Sequence, residues 1–200
     1  MHFVFLLPIK PTLDESHACR ISKAISTSFG RDNVVLGLNE DDAKGHSVAS
    51  QLSAHVVSIA ARDPFPMCEL WMMMAEYAYH EMEADIVMLV GDDLRIIDKD
   101  LMLQEVLELW RDGNQCIAVR EKKSPSWPTF LALEAQAFVL DEFLNSKFMT
   151  HFINQDADPF AFEYFRRLGG AAWTRKIYVE NETGGVYGGK LLKKTRRLNL

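Results

Sequence analysis

Phe3-Val4-Phe5-Leu6-Leu7 is an apolar run with no polar residue interrupting it. A strand with one solvated face alternates apolar and polar residues. A strand that does not alternate is covered on both faces, as in a parallel sheet with helices above and below. Residues 2–9 therefore read as a buried strand, stopped by Pro8-Ile9-Lys10-Pro11-Thr12. Further elements follow in alternation. A helix is predicted over 14–28, with Thr12 or Asp14 as N-cap and Gly30 just past its end. A strand over 33–38, a short helix over 44–54 and a strand over 55–60 come next. Residues 66–84 read as a long helix, with Leu70, Met73, Met74, Tyr77, Ala78 and Glu81 on one face and Met72, Met73 and Met74 as core filling. The most hydrophobic strand, 85–90, is followed by a helix from 98 or 99 to 112 and a strand over 115–120. Beyond residue 120 the pattern changes. There is a loop over 122–128, then short, partly exposed segments at 130–133 and 138–140. A helix over 158–168 ends at Gly169-Gly170, and a late strand covers 173–179. A stretch with Gly184, Gly185, Gly188 and Gly189 leads to a basic tail. This is the order of an α/β single domain with a mixed, mainly parallel central sheet flanked by helices.

With 200 residues, 48% hydrophobic and 25% charged, the chain has enough apolar material for a sizeable core, which excludes disorder as its main state. Cys19, Cys68 and Cys116 are far apart and no CxxC occurs, which argues against a disulfide framework or a structural zinc site. The last eleven residues hold Lys190, Lys193, Lys194, Arg196 and Arg197 and no acid, so the overall charge of -6 leaves -11 on residues 1–189. Such an acidic body argues against nucleic acid as a partner and suits a protein that holds a metal ion in carboxylates. No apolar run approaches the ~20 residues of a membrane span. With no signal-peptide pattern either, the expected location is cytoplasmic.

In a mainly parallel sheet, ligands bind beyond the carboxyl ends of the strands. Three polar clusters fall at such ends: residues 8–12, 39–42 and 91–93. The sharpest is Gly91-Asp92-Asp93, where adjacent carboxylates follow a buried strand. A cation would neutralise that pair, and hard oxygen donors select Mg²⁺ or Mn²⁺. The sequence lacks a GxxxxGK[ST] loop, a GxGxxG after the first strand and a GxSxG elbow, which disfavours P-loop, dinucleotide-binding and α/β-hydrolase chemistry. A second acidic cluster is Asn154-Gln155-Asp156-Ala157-Asp158-Pro159. Asp158 before Pro159 reads as a helix N-cap. Asp156 has no evident structural duty, and a carboxylate set on a loop can act as a general base.

Taken in order, FLLPIKPT, VVLGLNEDD, ADIVMLVGDDL, WPTFLALEAQAF and FINQDADPFAFEYFRRLGG resemble the GT-A class of nucleotide-sugar glycosyltransferases. Asp92-Asp93 would be an abbreviated DxD motif, and Gln155 stands where many members carry Glu. The resemblance implies a GT-A-like (Rossmann-like) domain over 1–200. Residues 1–120 would form the nucleotide-sugar half, 121–189 the acceptor side and 190–200 the tail. It implies that Pro8, Lys10 and Thr12 contact the nucleotide and that Asn39 with Asp41 or Asp42 meets the base. Arg62 would approach a phosphate or the base. Asp92 would bind ribose or sugar hydroxyls and take part at the metal, Asp93 would hold Mn²⁺ or Mg²⁺, and Lys190 would cover the diphosphate. Asp156, with Asp158 beside it, would form the catalytic pair, Asp156 deprotonating the acceptor hydroxyl with inversion. The implied donor is a nucleoside-diphosphate sugar, a UDP-sugar by likeness, and the acceptor a glycan or other hydroxyl. The WPTFLALEAQAF segment would line the acceptor cleft. The chain would be a soluble enzyme or one module of a larger glycan-building protein. Two other readings use the same kind of fold. A sugar-phosphate nucleotidyltransferase would want a glycine- and arginine-rich loop that residues 8–12 lack, and a non-catalytic nucleotide-sugar-binding or scaffold module is left open by Gln155.

Overall fold

The computed structural model describes residues 1–9, 15–63, 65–152 and 157–181. Lys10, Thr12, Asp14, Asp156, Lys190, the glycine-rich stretch and the basic tail therefore lie outside the described residues. The elements in order are β1 (Phe3–Pro8), α1 (Glu15–Ala24), β2 (Val34–Asn39), α2 (Ala43–Leu52), β3 (His55–Ile59), α3 (Met67–Glu81), β4 (Ile86–Leu89) and β5 (Leu94–Ile96). They continue with α4 (Lys99–Arg111), β6 (Cys116–Glu121), β7 (Phe130–Glu134), α5 (Ala135–Leu140), α6 (Glu142–His151), α7 (Ala157–Arg167) and β8 (Ala171–Asn181). Among the described residues no helix is long and apolar enough to cross a membrane.

All eight strands form one sheet in the order β3-β2-β1-β4-β7-β6-β8-β5. β3, β2, β1 and β4 are mutually parallel, as are β6 and β8, while β7 runs antiparallel between β4 and β6 and β5 antiparallel on β8. The expected α/β class with a mainly parallel sheet is what the chain adopts. Alternate residues explain the unbroken apolar runs. Val4, Leu6, Val35, Val87 and Leu89 pack on one face with α3, α5, α6 and α7. Phe3, Phe5, Leu7, Leu36, Ile86 and Met88 pack on the other with α1, α2 and α4.

The structure corrects several sequence expectations. Residues 130–133 are a buried strand rather than a partly exposed segment. Phe130, Leu131, Ala132 and Leu133 fill the sheet between β4 and β6. Residues 138–140 belong to helix α5, which follows that strand directly, and α6 and β5 were not anticipated. The first helix gives way to a π-helical turn, Ile25–Phe29, before Gly30 at φ 73°. The apolar face of α3 is wider than its periodicity implies. Trp71, Met72 and Ala75 are buried beside Leu70 and Met74, whereas Met73 and Tyr77 are half-buried and Glu81 is exposed. A helix packed against both a sheet and neighbouring helices buries more than one stripe. Finally, α7 begins at Ala157, so Asp158 lies in its first turn and is not its N-cap.

One topological constraint shapes the site. In the sheet, β7, β6 and β8 separate β4 from β5. Strands ~4.8 Å apart would put those two about 19 Å from each other in a flat sheet. The five peptide steps from Leu89 to Leu94 reach at most about 18 Å when fully extended. The sheet therefore bends back over its own end, and residues 90–93 cross that end. Register shifts between β6 and β8 near Arg120 supply the bend. The Thr174 hydroxyl, wholly buried, repairs the ladder there by accepting from the Arg120 N–H (3.0 Å) and donating to the Lys176 carbonyl (3.0 Å).

Candidate functional site

The carboxyl ends of β1, β2, β3 and β4 lie along one edge, and this edge gathers the described parts of the three polar clusters. At the β1 end, Pro8 is buried opposite Gly37 and the Ile9 N–H donates to the Gly37 carbonyl (2.8 Å). At the β2 end, Asn39 is only 5% exposed, and its side-chain Oδ1 is buried without a hydrogen-bond partner among the described residues. A buried amide oxygen left unpaired costs about 1–3 kcal/mol, so it is a place where a ligand donor would be welcome. Asp41 is exposed on the turn that follows. Asp42 is the N-cap of α2: its carboxylate accepts from the Gly45 N–H at 2.9 Å. Gly45 is required for that approach, since a Cβ there would stand 2.5 Å from Asp42 Oδ2. Asp42 thus has a structural duty that its neighbour Asp41 does not share. Arg62, just past β3, donates through Nη2 to Glu69 Oε1 on α3 at 2.7 Å. That hydrogen bond raises the guanidinium pKa above its ordinary value.

The Asp92-Asp93 pair occupies the crossing between β4 and β5. The Leu94 N–H donates to the Gly91 carbonyl (3.2 Å), closing a turn with the two aspartates at its centre. Both are half-buried. A Cβ on Gly91 would lie 2.9 Å from Asp93 Oδ1, so the glycine leaves the room in which that carboxylate sits. Two carboxylates in a turn are hard oxygen donors of the kind Mg²⁺ and Mn²⁺ take, alongside waters and phosphate oxygens. No group of three or more His, Cys, Asp and Glu positioned for a metal occurs among the described residues. A cation at this turn would complete its shell from outside that set.

Asp158 is placed differently. Its Oδ1 is sealed from solvent, and its charge reaches two buried thiols. Burial pushes the Cys68 and Cys116 thiols well up, and the Asp158 charge adds to the rise.

Sequence reasoning missed a basic cluster on the strand that follows the turn and its neighbour β8. Arg95 and Lys122 both donate to Glu180, at 2.5 and 3.1 Å, and Lys123 Nζ donates to the Asn181 carbonyl at 2.6 Å. Those hydrogen bonds, Arg95 first, hold the Glu180 carboxyl below its usual range. Trp127 is exposed on the loop joining β6 to β7. The signal was the pair of lysines, Lys122-Lys123, in a stretch read as a loop, whereas Trp127 opens the segment expected to line the acceptor cleft.

The sequence matches no protein-family profile and no curated protein. Solved structures are similar in fold. A glucosyl-3-phosphoglycerate synthase from Mycobacterium tuberculosis, in complex with Mn²⁺, UDP-glucose and phosphoglyceric acid, is 14% identical, with a TM-score of 0.55 over 86% of this chain and 68% of that one. A 4-diphosphocytidyl-2C-methyl-D-erythritol synthase from Anaerococcus prevotii is 11% identical, with a TM-score of 0.56 over 99% of this chain and 94% of that one. A cytidylyltransferase from Leptospira borgpetersenii is 14% identical, with a TM-score of 0.54 over 86% and 75%. The fold is therefore GT-A-like, shared by glycosyltransferases and nucleotidyltransferases.

Proposed function

We propose that this chain is a metal-dependent glycosyltransferase that moves a sugar from a nucleoside-diphosphate sugar, a UDP-sugar in the first instance, to a hydroxyl of a glycan. The observation that carries the reading is the Asp92-Asp93 turn suspended across the carboxyl ends of the strands. Asp93 holds a divalent cation there, with Asp92 at the sugar or ribose hydroxyls and at the metal. A cation so held neutralises the charge that develops on a departing diphosphate. Asn39 offers its buried Oδ1 to the N–H of a base, and Asp41 lies beside it. Pro8, Lys10 and Thr12 line the nucleotide. Arg62, its Nη2 bonded to Glu69, meets a phosphate through the rest of its exposed guanidinium. Lys190 and the tail cover the diphosphate. Asp156 takes the proton of the acceptor hydroxyl from the side opposite the leaving group, which inverts the anomeric centre. Asp158, with one oxygen inside the protein, has less of its carboxylate to offer an acceptor. Residues 1–120 serve the donor and 121–189 the acceptor.

Nucleotidyl transfer is the second reading, favoured by the likeness in fold to a cytidylyltransferase. Against it, the segment from Pro8 to Asp14 contains no glycine to bring backbone N–H groups onto a triphosphate. Titration with UDP and Mn²⁺ tests the primary reading. The wild type should bind UDP more tightly with Mn²⁺ than without, and Asp93→Asn should lose that difference while keeping its fold. Identical titrations of the two proteins would remove Asp93 from the metal. Release of pyrophosphate from CTP or UTP with a sugar phosphate, without hydrolysis of any UDP-sugar, would move the assignment to nucleotidyl transfer.

A further inference from the structure

We propose that a recess at the end of the sheet remote from the Asp92-Asp93 turn binds a small organic cation, an amine or amidine carried on a short apolar body. The recess has a volume of about 330 Å³, and its wall includes Gln115, Glu134, Leu140, Asp141, Phe165 and Leu168. That volume is at the small end of ligand pockets, ~300–1,000 Å³. It lies where β6 begins, β7 ends, α5 meets α6 and α7 ends. Glu134 pairs with Ile86, which opens β4, whereas the aspartate turn lies beyond the far end of that strand. The length of β4, about 13 Å at ~3.3 Å per residue, therefore separates the recess from the turn. The site stands independently of the glycosyltransferase reading.

Two carboxylates stand in its wall, and both are held by neutral donors. Glu134 accepts from the Gln115 side-chain amide (3.0 Å) and from the Trp110 indole N–H (3.4 Å). Asp141 accepts from the Leu144 N–H (2.9 Å) and from the Tyr164 hydroxyl (2.6 Å). In each carboxylate one oxygen takes one of these bonds and the other oxygen the second. A carboxylate offers about four acceptor positions, so both keep capacity for a ligand donor. Among the described residues no Lys, Arg or His pairs with Glu134 or Asp141. The cations of the neighbouring helix turn, Arg166 and Arg167, are engaged with Glu163 instead, at 2.6 and 2.8 Å. α7 ends at Arg167, so the negative end of its dipole adds to the same field. Like charges and a helix C-terminus in one recess favour a cation, and donors already in place hold the acceptors ready for it. Apolar surface completes the match. Phe165 is buried, while Leu140 and Leu168 are 54% and 63% exposed, large side chains left in water that the body of a ligand would cover. An anion would be repelled here, and a neutral sugar would leave both charges unmatched.

The probes are benzamidine and phenethylamine, with benzamide and benzoate as neutral and anionic counterparts. Each is titrated into the full chain by calorimetry and followed by NMR at the Trp110 indole N–H, assigned with Trp110→Phe. That resonance reports the site because the indole bonds to Glu134. Both cations should bind and shift it, and benzamide and benzoate should bind more weakly by about tenfold or more. Glu134→Gln and Asp141→Asn should each weaken benzamidine by about tenfold. The second change keeps the start of α6, since asparagine also caps. Leu168→Ser, at an exposed position, should weaken phenethylamine by about threefold. Asp93→Asn should bind benzamidine as the wild type does. Loss of benzamidine binding in Asp93→Asn would put the cation at the aspartate turn and overturn the recess. So would equal affinity for benzamide and benzamidine, or a Trp110 resonance that neither cation moves. Thermal melts show which variants are folded, and if Glu134→Gln is not, Asp141→Asn and Leu168→Ser carry the test.

Discussion

At the scale of single residues, the aspartates divide by what else they do. Asp42 caps α2 and Asp158 has an oxygen within the protein, whereas Asp92 and Asp93 sit half-buried at the centre of the turn that Leu94 closes on Gly91. Gly91 is what permits that turn its carboxylate. Its φ is not in the left-handed region, so an alanine is tolerated by the backbone. The new Cβ would nevertheless stand 2.9 Å from Asp93 Oδ1 and push that carboxylate aside. Gly91→Ala should therefore change folding stability by less than about 0.5 kcal/mol. It should weaken Mn²⁺-dependent UDP binding by about 10–100-fold, as expected when a metal ligand loses its orientation. Chemical denaturation and calorimetry on one preparation separate the two effects. The general base is tested in the same way. Asparagine has almost the shape of aspartate and lacks only the charge, so the change removes the base and little else. Asp156→Asn should thus keep stability while transfer falls by about 10²–10⁴-fold, and Asp158→Asn should be milder. The reverse ranking in a transfer assay moves the base to Asp158.

At the scale of elements, what could be read from the sequence depended on how far burial was written into periodicity. The strands β1, β2 and β4 are apolar on both faces, and their unbroken runs announced it. β7 is just as buried, but it is short and runs straight into α5, so strand and helix patterns blur at Glu134–Ala135. In α6 only Leu144 and Phe148 are buried among the described side chains, while Phe143 is exposed, which leaves too weak a stripe to recognise. The gathering of three polar clusters at one edge was legible because parallel strands bring their ends together. The meeting of Arg95, Lys122 and Lys123 at Glu180 and Asn181 was not, because it depends on β5 and the bend in β8. Gly37 shows an element contact that sequence cannot announce. It faces α3 so closely that a Cβ would lie 2.7 Å from Leu70 Cγ and 2.8 Å from Met74 Sδ. Gly37→Ala should cost about 1–3 kcal/mol by overpacking. Urea unfolding measures it, and a cost near zero would mean that α3 can withdraw from β2 without penalty.

At the scale of the whole molecule, the bent end of the sheet depends on how β8 is fastened. The fastener is Glu105 on α4, a carboxylate only 5% exposed. It accepts from the Tyr178 hydroxyl at 2.5 Å, from the Arg175 guanidinium at 3.0 Å and from the Arg175 N–H. Burial alone would raise the Glu105 pKa, but these donors, Tyr178 first, bring it below the ordinary carboxyl value. The partner moves the opposite way. Burial, then the hydrogen bond to Glu105, pushes the Tyr178 hydroxyl up to about 12. In the unfolded chain a tyrosine ionises near pH ~10. A folded-state value above the unfolded one means that the protonated form is preferred on folding. Its contribution is fully present below pH ~10 and is lost as pH rises through the folded value of about 12. Glu105 has the opposite sign: its contribution is present above the ordinary carboxyl range and is lost as pH falls through its depressed value. Tyr178→Phe should therefore melt at a lower temperature than the wild type at neutral pH. The gap between the two proteins should close as pH rises above ~10. Melting both from neutral pH into that alkaline range, with their difference cancelling the other titrating groups, is the measurement. A gap that stays constant with pH would mean that the Tyr178 hydroxyl does not couple β8 to α4.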